Sequence, residues 1–192
     1  MRFIVQLCLF VSILLTLGVE AKAGLDISEF TIRPGDILQV TVWKEEGMDR
    51  EMAVLPDGTI TFPLAGTIML QDLTLVAAQN LIKEKLKNTV PAASVTVMVK
   101  SPMGHTVSVL GQVVKPGELV MGRRMNVMQA LSQAGGLTPY ASESGIVVLR
   151  DVKGEKTSIE YPYNDIAKGR HFENDVDLVA GDVIFVPDAG LF

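Results

Sequence analysis

Cysteine is almost missing from this 192-residue chain, which carries only Cys8. That residue lies inside an N-terminal apolar run, follows Leu7 and comes far too early for a lipoprotein processing site, so no lipid anchor is expected. Without another cysteine, disulfides, thiolate metal ligands and a cysteine nucleophile are excluded from the rest of the chain. Histidine is scarce too: His105 and His171 are far apart, and neither stands in an H-E-x-x-H or similar metal spacing. Either could be recruited to a site, but His105 opens a predicted strand and His171 falls in a predicted loop. No G-x-S-x-G elbow, P-loop or dinucleotide glycine fingerprint occurs. Basic residues are outnumbered, 17 against 22 acidic, and a net charge of −5 offers nothing to attract nucleic acid. No long apolar run follows residue 24 and no amphipathic helical stretch lies beyond Pro187, so residues 24–192 read as water-soluble.

What is present begins with a basic head, Met1-Arg2, and an almost uncharged apolar run from Phe3 to Val19. Ala21, Lys22 and Ala23 then supply the small-x-small pattern that a signal peptidase accepts. Cleavage is expected between Ala23 and Gly24; an uncleaved membrane anchor is the alternative, because the run is only marginally shorter than a span.

Past that head, "DILQVTVW" (Asp36 to Trp43) reads as a strand opened by a Pro34-Gly35 turn. "EMAVLPDGTITFPLAG" reads as two strands about a Pro56-Asp57-Gly58 tip, with Ile60 and Phe62 alternating against Thr59 and Thr61. The period then changes: Leu75, Ala78, Leu81, Ile82 and Leu86 share one helical face in "LTLVAAQNLIKEKLKNTV", with Thr74 as N-cap and Pro91 as the stop. "SVTVMVK" returns to strand. A second cycle follows, with two strands in "HTVSVLGQVVKPGELVM" joined at Lys115-Pro116-Gly117. Its helix, "MNVMQALSQAGG", has Asn126 and Gln129 at capping-box positions and Gly135 as a left-handed stop. "GIVVLRD" and "DVIFVP" read as strands, separated by a polar, turn-rich segment from Lys153 to Leu178. The predicted class is α+β: two small sheets in rigid tandem, each holding one helix, with a short linker near Ser101 to Gly104.

Carboxylates are numerous, and a glycosidase needs only two of them in proximity, so sequence spacing alone does not exclude one. Asp36, Asp57, Glu118 and Asp182 nevertheless each sit beside a turn glycine, where an acceptor oxygen stabilises the bend. Arg123 and Arg124 form the densest basic spot and could meet an acidic sugar or a partner's carboxylate; the plainer reading is a solvated hairpin end. Trp43 could stack on a pyranose, although a lone tryptophan at a strand end more often belongs to core or interface.

The stretch from "FTIRPGDILQVTVW" through "PDGTITFPLAG" and the "LT" helix start to "VTVMV" resembles the N-terminal domain of outer-membrane polysaccharide export proteins. "VSVLGQVVKPGELVMGRRMNVMQALSQAGGLTPYAS" resembles the SLBB domain, a soluble-ligand-binding β-grasp fold, through its G-x-V-x-x-PG hairpin and AGG helix end. The motif turns are Pro34, Gly35, Asp36, Pro56, Asp57, Gly58, Gly111, Pro116, Gly117, Gly135 and Gly136. On this resemblance the chain divides into a cleaved signal peptide (1–23), an export domain (24–103) and an SLBB domain (104–192).

The resemblance implies a non-enzymatic, cofactor-free subunit of a ring, octameric in the best-known members, that conducts capsular or exopolysaccharide from the periplasm across the outer membrane. Implied partners are further copies of the chain, an inner-membrane polysaccharide co-polymerase and the exported polymer. The larger members have a lipid-attachment cysteine, a second SLBB copy and a C-terminal amphipathic helix. This sequence shows none of these, so a short periplasmic member working with a separate outer-membrane β-barrel is expected. A soluble periplasmic sugar-binding or sensing module is the alternative function.

Overall fold

A computed structural model of the chain describes residues 30–45, 47–152 and 154–190; the expected signal peptide lies outside the described residues. The first sheet is antiparallel, in the order β2-β1-β5, with β1 (Ile37–Val42) between β2 (Asp49–Ala53) and β5 (Val95–Ser101). Alternation decides its faces: Leu38, Val40 and Val42 point into the core opposite Val99, Val97 and Val95. Five residues of β2 are largely exposed, as befits an edge.

The stretch predicted as one hairpin divides between two sheets. β2 pairs with β1, whereas β3 (Thr59–Phe62) pairs with β4 (Gly66–Met69), a strand not foreseen, across Pro63, Leu64 and Ala65. Apolar demand explains the switch. Ile60, Phe62, Ile68 and Leu70 are all fully buried, and pairing β3 with β4 sends them into one core, a gain of roughly 1.5–3 kcal/mol per large side chain. Pro56-Asp57-Gly58 still forms a tight turn, closed by Leu55 N–H to Thr59 O and Gly58 N–H to Leu55 O, each 2.8 Å.

Helix α1 (Leu75–Leu86) buries Ala78, Ile82 and Leu86 against this core. Thr74 caps it, its Oγ1 accepting from Ala77 N–H at 3.1 Å. The helical pattern read to Val90 stops four residues sooner, where Thr89 and Val90 N–H groups both turn back to Leu86 O.

The third sheet, in the second module, is mixed and five-stranded, in the order β7-β6-β10-β8-β9. Its centre is a parallel pair, β6 (Thr106–Gly111) with β10 (Val183–Val186); β7 (Gly117–Val120) flanks β6, and β8 (Val147–Val152) flanks β10. One face buries Val107, Val109, Val148, Ile184 and Val186 under α2 (Val127–Gln133). Asn126 and Gln129 form the full capping box, and Gly135, at φ +83, carries the chain out so that Gly136 N–H reaches Leu131 O at 2.9 Å.

The segment read as polar and turn-rich is more ordered than expected. It contains β9 (Glu155–Glu160), the short helix α3 (Tyr163–Ala167) and a 3-10 turn at Phe172–Asn174. β9 is an exposed edge with charged ends and few apolar side chains, so its strand character comes from pairing with β8 rather than from an apolar stripe. The architecture is α+β. One buried cluster draws on residues from Ile32 to Val97, and the second on residues from Val107 to Val186.

Gly111 is the tightest point of the central pair. Its φ is +88, and a Cβ there would lie 2.0 Å from Val186 O. Gly111→Ala is expected to cost at least about 2 kcal/mol in urea unfolding. Gly154→Ala, at φ +89 but with nothing within 4 Å, is expected to cost only about 1 kcal/mol. Equal losses at the two positions would contradict the steric account.

Candidate functional site

Between the two clusters the chain passes through residues 102–105, and there the Arg33–Asp36 turn meets it. Gly35 sits at φ +93 and Asp36 N–H returns to Arg33 O at 3.1 Å, which folds the Asp36 side chain back over its own turn. The carboxylate is fully buried. Its Oδ2 accepts from Arg33 N–H and its Oδ1 from Gly104 N–H, both at 2.9 Å. His105 closes the arrangement: Nε2 lies 3.0 Å from Thr31 O and 3.4 Å from Asp36 Oδ2. Because both neighbours are acceptors, Nε2 carries the proton and donates. The ring packs on Phe30 with centroids 4.5 Å apart. Gly104 has no spare room, since a Cβ there would lie 2.5 Å from Pro34 O and 3.0 Å from Asp36 Oδ1.

A second turn repeats this geometry in the other sheet. Gly181 has φ +94, Asp182 N–H returns to Val179 O at 3.1 Å, and Asp182 Oδ2 accepts from Val179 N–H at 2.8 Å. Here the buried carboxylate faces a guanidinium. Arg150 Nε donates to Oδ1 at 2.9 Å and a terminal nitrogen donates to Oδ2 at 2.7 Å. Those hydrogen bonds hold the Arg150 pKa above its ordinary value, against the opposing pull of desolvation.

The junction borders a cleft of about 540 Å³. Phe30, Thr31, Arg33 and Val99 line it from the first module; Met121, Arg123, Arg124 and Leu178 line it from the second. A larger cavity, about 680 Å³, lies in the second module beside Tyr161 and Tyr163, with carboxylates from Glu160, Asp165 and Asp175 around it. Tyr161 is buried and donates its hydroxyl to Asp175 Oδ1 at 3.0 Å; burial first, and this bond second, push its pKa upward.

The residues singled out from sequence fall in several places. Pro34, Gly35 and Asp36 form the junction turn. Asp57 Oδ1 accepts from both the hydroxyl and the N–H of Thr59, bonds that lower its pKa and occupy the oxygen locally. Gly58 has φ +78 and leaves no space for a side chain beside Gln71. Pro116 lies in the β6–β7 connection and Gly117 opens β7, and that loop rests on the end of α2 through Val114 N–H to Gly136 O and Lys115 N–H to Ala134 O. Glu118 departs from the reading as a bend stabiliser: it accepts from Thr106 on the paired strand at 2.6 Å, because strand alternation turns it toward that neighbour. Trp43 is 70% exposed just beyond β1, so it is not core. His171 is exposed and meets Glu173 at 3.0 Å, far in sequence from His105 and not in its site. Among the described residues no group of three His, Cys, Asp or Glu side chains is arranged to hold a metal. Sequence reading did not single out Phe30, Arg33, Gly104 or Arg150 as site residues, because their roles depend on contacts across 27 or more positions of chain or on the cleft.

Two tandem β-rich modules meet at a buried carboxylate. Residues 26–100 match the family described as polysaccharide biosynthesis/export protein, and residues 105–186 match the SLBB domain. The chain therefore carries one polysaccharide export domain followed by one SLBB domain. The interval between the two matched segments contains Gly104, the residue that Asp36 holds.

Asp36→Ala leaves two part-buried N–H groups without their acceptor and is expected to lower stability by about 2–4 kcal/mol. Asp36→Asn, which keeps one acceptor oxygen, is expected to lose less. Hydrogen exchange at the Gly104 amide should accelerate in both variants; unchanged protection of that amide would contradict the assignment.

Proposed function

We propose that the chain is a periplasmic, non-catalytic subunit that assembles into a ring and forms part of a conduit for capsular or exopolysaccharide across the outer membrane. The observation that carries this reading is the ordered pair of matched domains, export then SLBB, spanning residues 26–186 almost without interruption. Two structural features support it. The junction joins the domains into one piece that could keep a fixed shape within an assembly. The open face of the five-stranded sheet also leaves Leu110, Leu149 and Phe185 between 40% and 46% exposed, an apolar surface suited to another copy of the chain. Among the described residues no helix is long and apolar enough to cross a membrane. An outer-membrane β-barrel would complete the passage, and an inner-membrane co-polymerase would deliver the polymer.

Deletion of the gene with polysaccharide synthesis intact is expected to abolish surface polysaccharide and leave polymer inside the cell envelope. Surface polysaccharide at the parental level in the deletion strain would overturn the proposal.

A further inference from the structure

The cleft between the modules concentrates positive charge on a protein that is otherwise acidic, with a net charge of −5. Arg33 approaches from the first module, and Arg123 and Arg124 from the second. Among the described residues neither Arg33 nor Arg123 forms an ion pair. Arg33 has a sharper requirement. Its Nε is buried and has no hydrogen-bond partner among the described residues. A buried guanidinium N–H without an acceptor is costly, and native proteins almost always satisfy such groups. The carboxylate on the same turn does not serve it: the Asp36 oxygens are directed to Arg33 N–H and Gly104 N–H, and Arg33 Nε meets neither.

We propose that this cleft binds a carboxylate-bearing sugar residue, a uronate, of the polymer that the chain handles; the polymer's identity as cargo rests on the function proposed above. The chemistry selects both halves of that ligand. A carboxylate presents two oxygens to a guanidinium in the planar, two-point geometry that arginine favours over lysine. Phe30, Val99, Met121 and Leu178 supply apolar wall that suits the C–H faces of a pyranose ring. Its volume of about 540 Å³ lies within the range of roughly 300–1,000 Å³ usual for small-molecule sites, enough for a sugar unit rather than a folded partner. Because each module supplies an arginine, the site exists only while the junction holds the modules together.

The test titrates residues 24–192 with tetragalacturonate, with its fully methyl-esterified form, and with tetraglutamate, following amide shifts by NMR at low ionic strength. Tetragalacturonate is expected to shift residues around the cleft, whereas the methyl ester, with the same sugars and no charge, should bind at least tenfold more weakly. Arg123→Gln, at an exposed position where folding is not at stake, should weaken tetragalacturonate about tenfold, the loss of one charge-assisted hydrogen bond. Arg33→Gln should do the same, and Lys156→Gln, on the distant edge strand β9, should leave binding unchanged. Equal binding of ester and acid, undiminished binding by Arg123→Gln, or tighter binding of tetraglutamate than of the uronate would each overturn the proposal. The last result would assign the cleft to an acidic protein segment instead. The deletion strain separates the two readings: lost export without uronate binding removes only this site, and uronate binding with intact export removes only the conduit.

Discussion

A single buried carboxylate decides how this chain is put together. Asp36 belongs to the turn that opens β1, yet one of its oxygens is held by Gly104, 68 residues away at the start of the second module. Burying a charge without compensation is expensive, so the arrangement persists only because backbone N–H groups and the His105 imidazole surround it. That requirement ties three things to one place: the turn, the glycine that admits close approach, and the ring that seals the edge. The cleft, and the presence of Arg33 and Arg123 in its lining, depend on that junction.

The same turn geometry recurs at Asp182, which suggests how two modules of different topology solve one problem. In each, a glycine with positive φ lets the following aspartate fold back over its own turn, and the strand that begins there runs through the middle of a sheet. The two carboxylates differ only in what meets their remaining oxygens. Asp182 takes a guanidinium from its own sheet and so stiffens one module, whereas Asp36 takes a backbone amide from the neighbouring module and so joins two.

Much of this was legible in the sequence because the signals were local. Thr74 and the Asn126–Gln129 box cap their helices as their spacing predicts, and Ile60 and Phe62, read as alternating with Thr61, are buried in β3 while Thr61 is exposed. The misreadings came where a distant partner determined the outcome. Pro56-Asp57-Gly58 is a turn, but which strands it joins depends on β4, whose short apolar pattern is weak until Ile68 is seen packing beside Ile60. β9 carries almost no apolar periodicity and exists as the partner of β8. At the site, Asp36 was visible as a turn acceptor from its neighbour Gly35, but its second bond, the packing of His105 on Phe30 and the unmet need of Arg33 Nε involve residues or voids that no local motif encodes.

If Asp36 is the constraint described here, the two modules behave as one rigid body, and this is directly measurable because Cys8 is the chain's single cysteine and residues 24–192 contain none. Spin labels on cysteines placed at the exposed positions Glu84, on α1, and Lys156, on β9, would report the distance between modules by pulsed electron resonance. A single narrow distance distribution is predicted for the otherwise native chain, broadening when Asp36→Ala is added. A broad distribution in the native chain, or a narrow one unaffected by Asp36→Ala, would contradict the account.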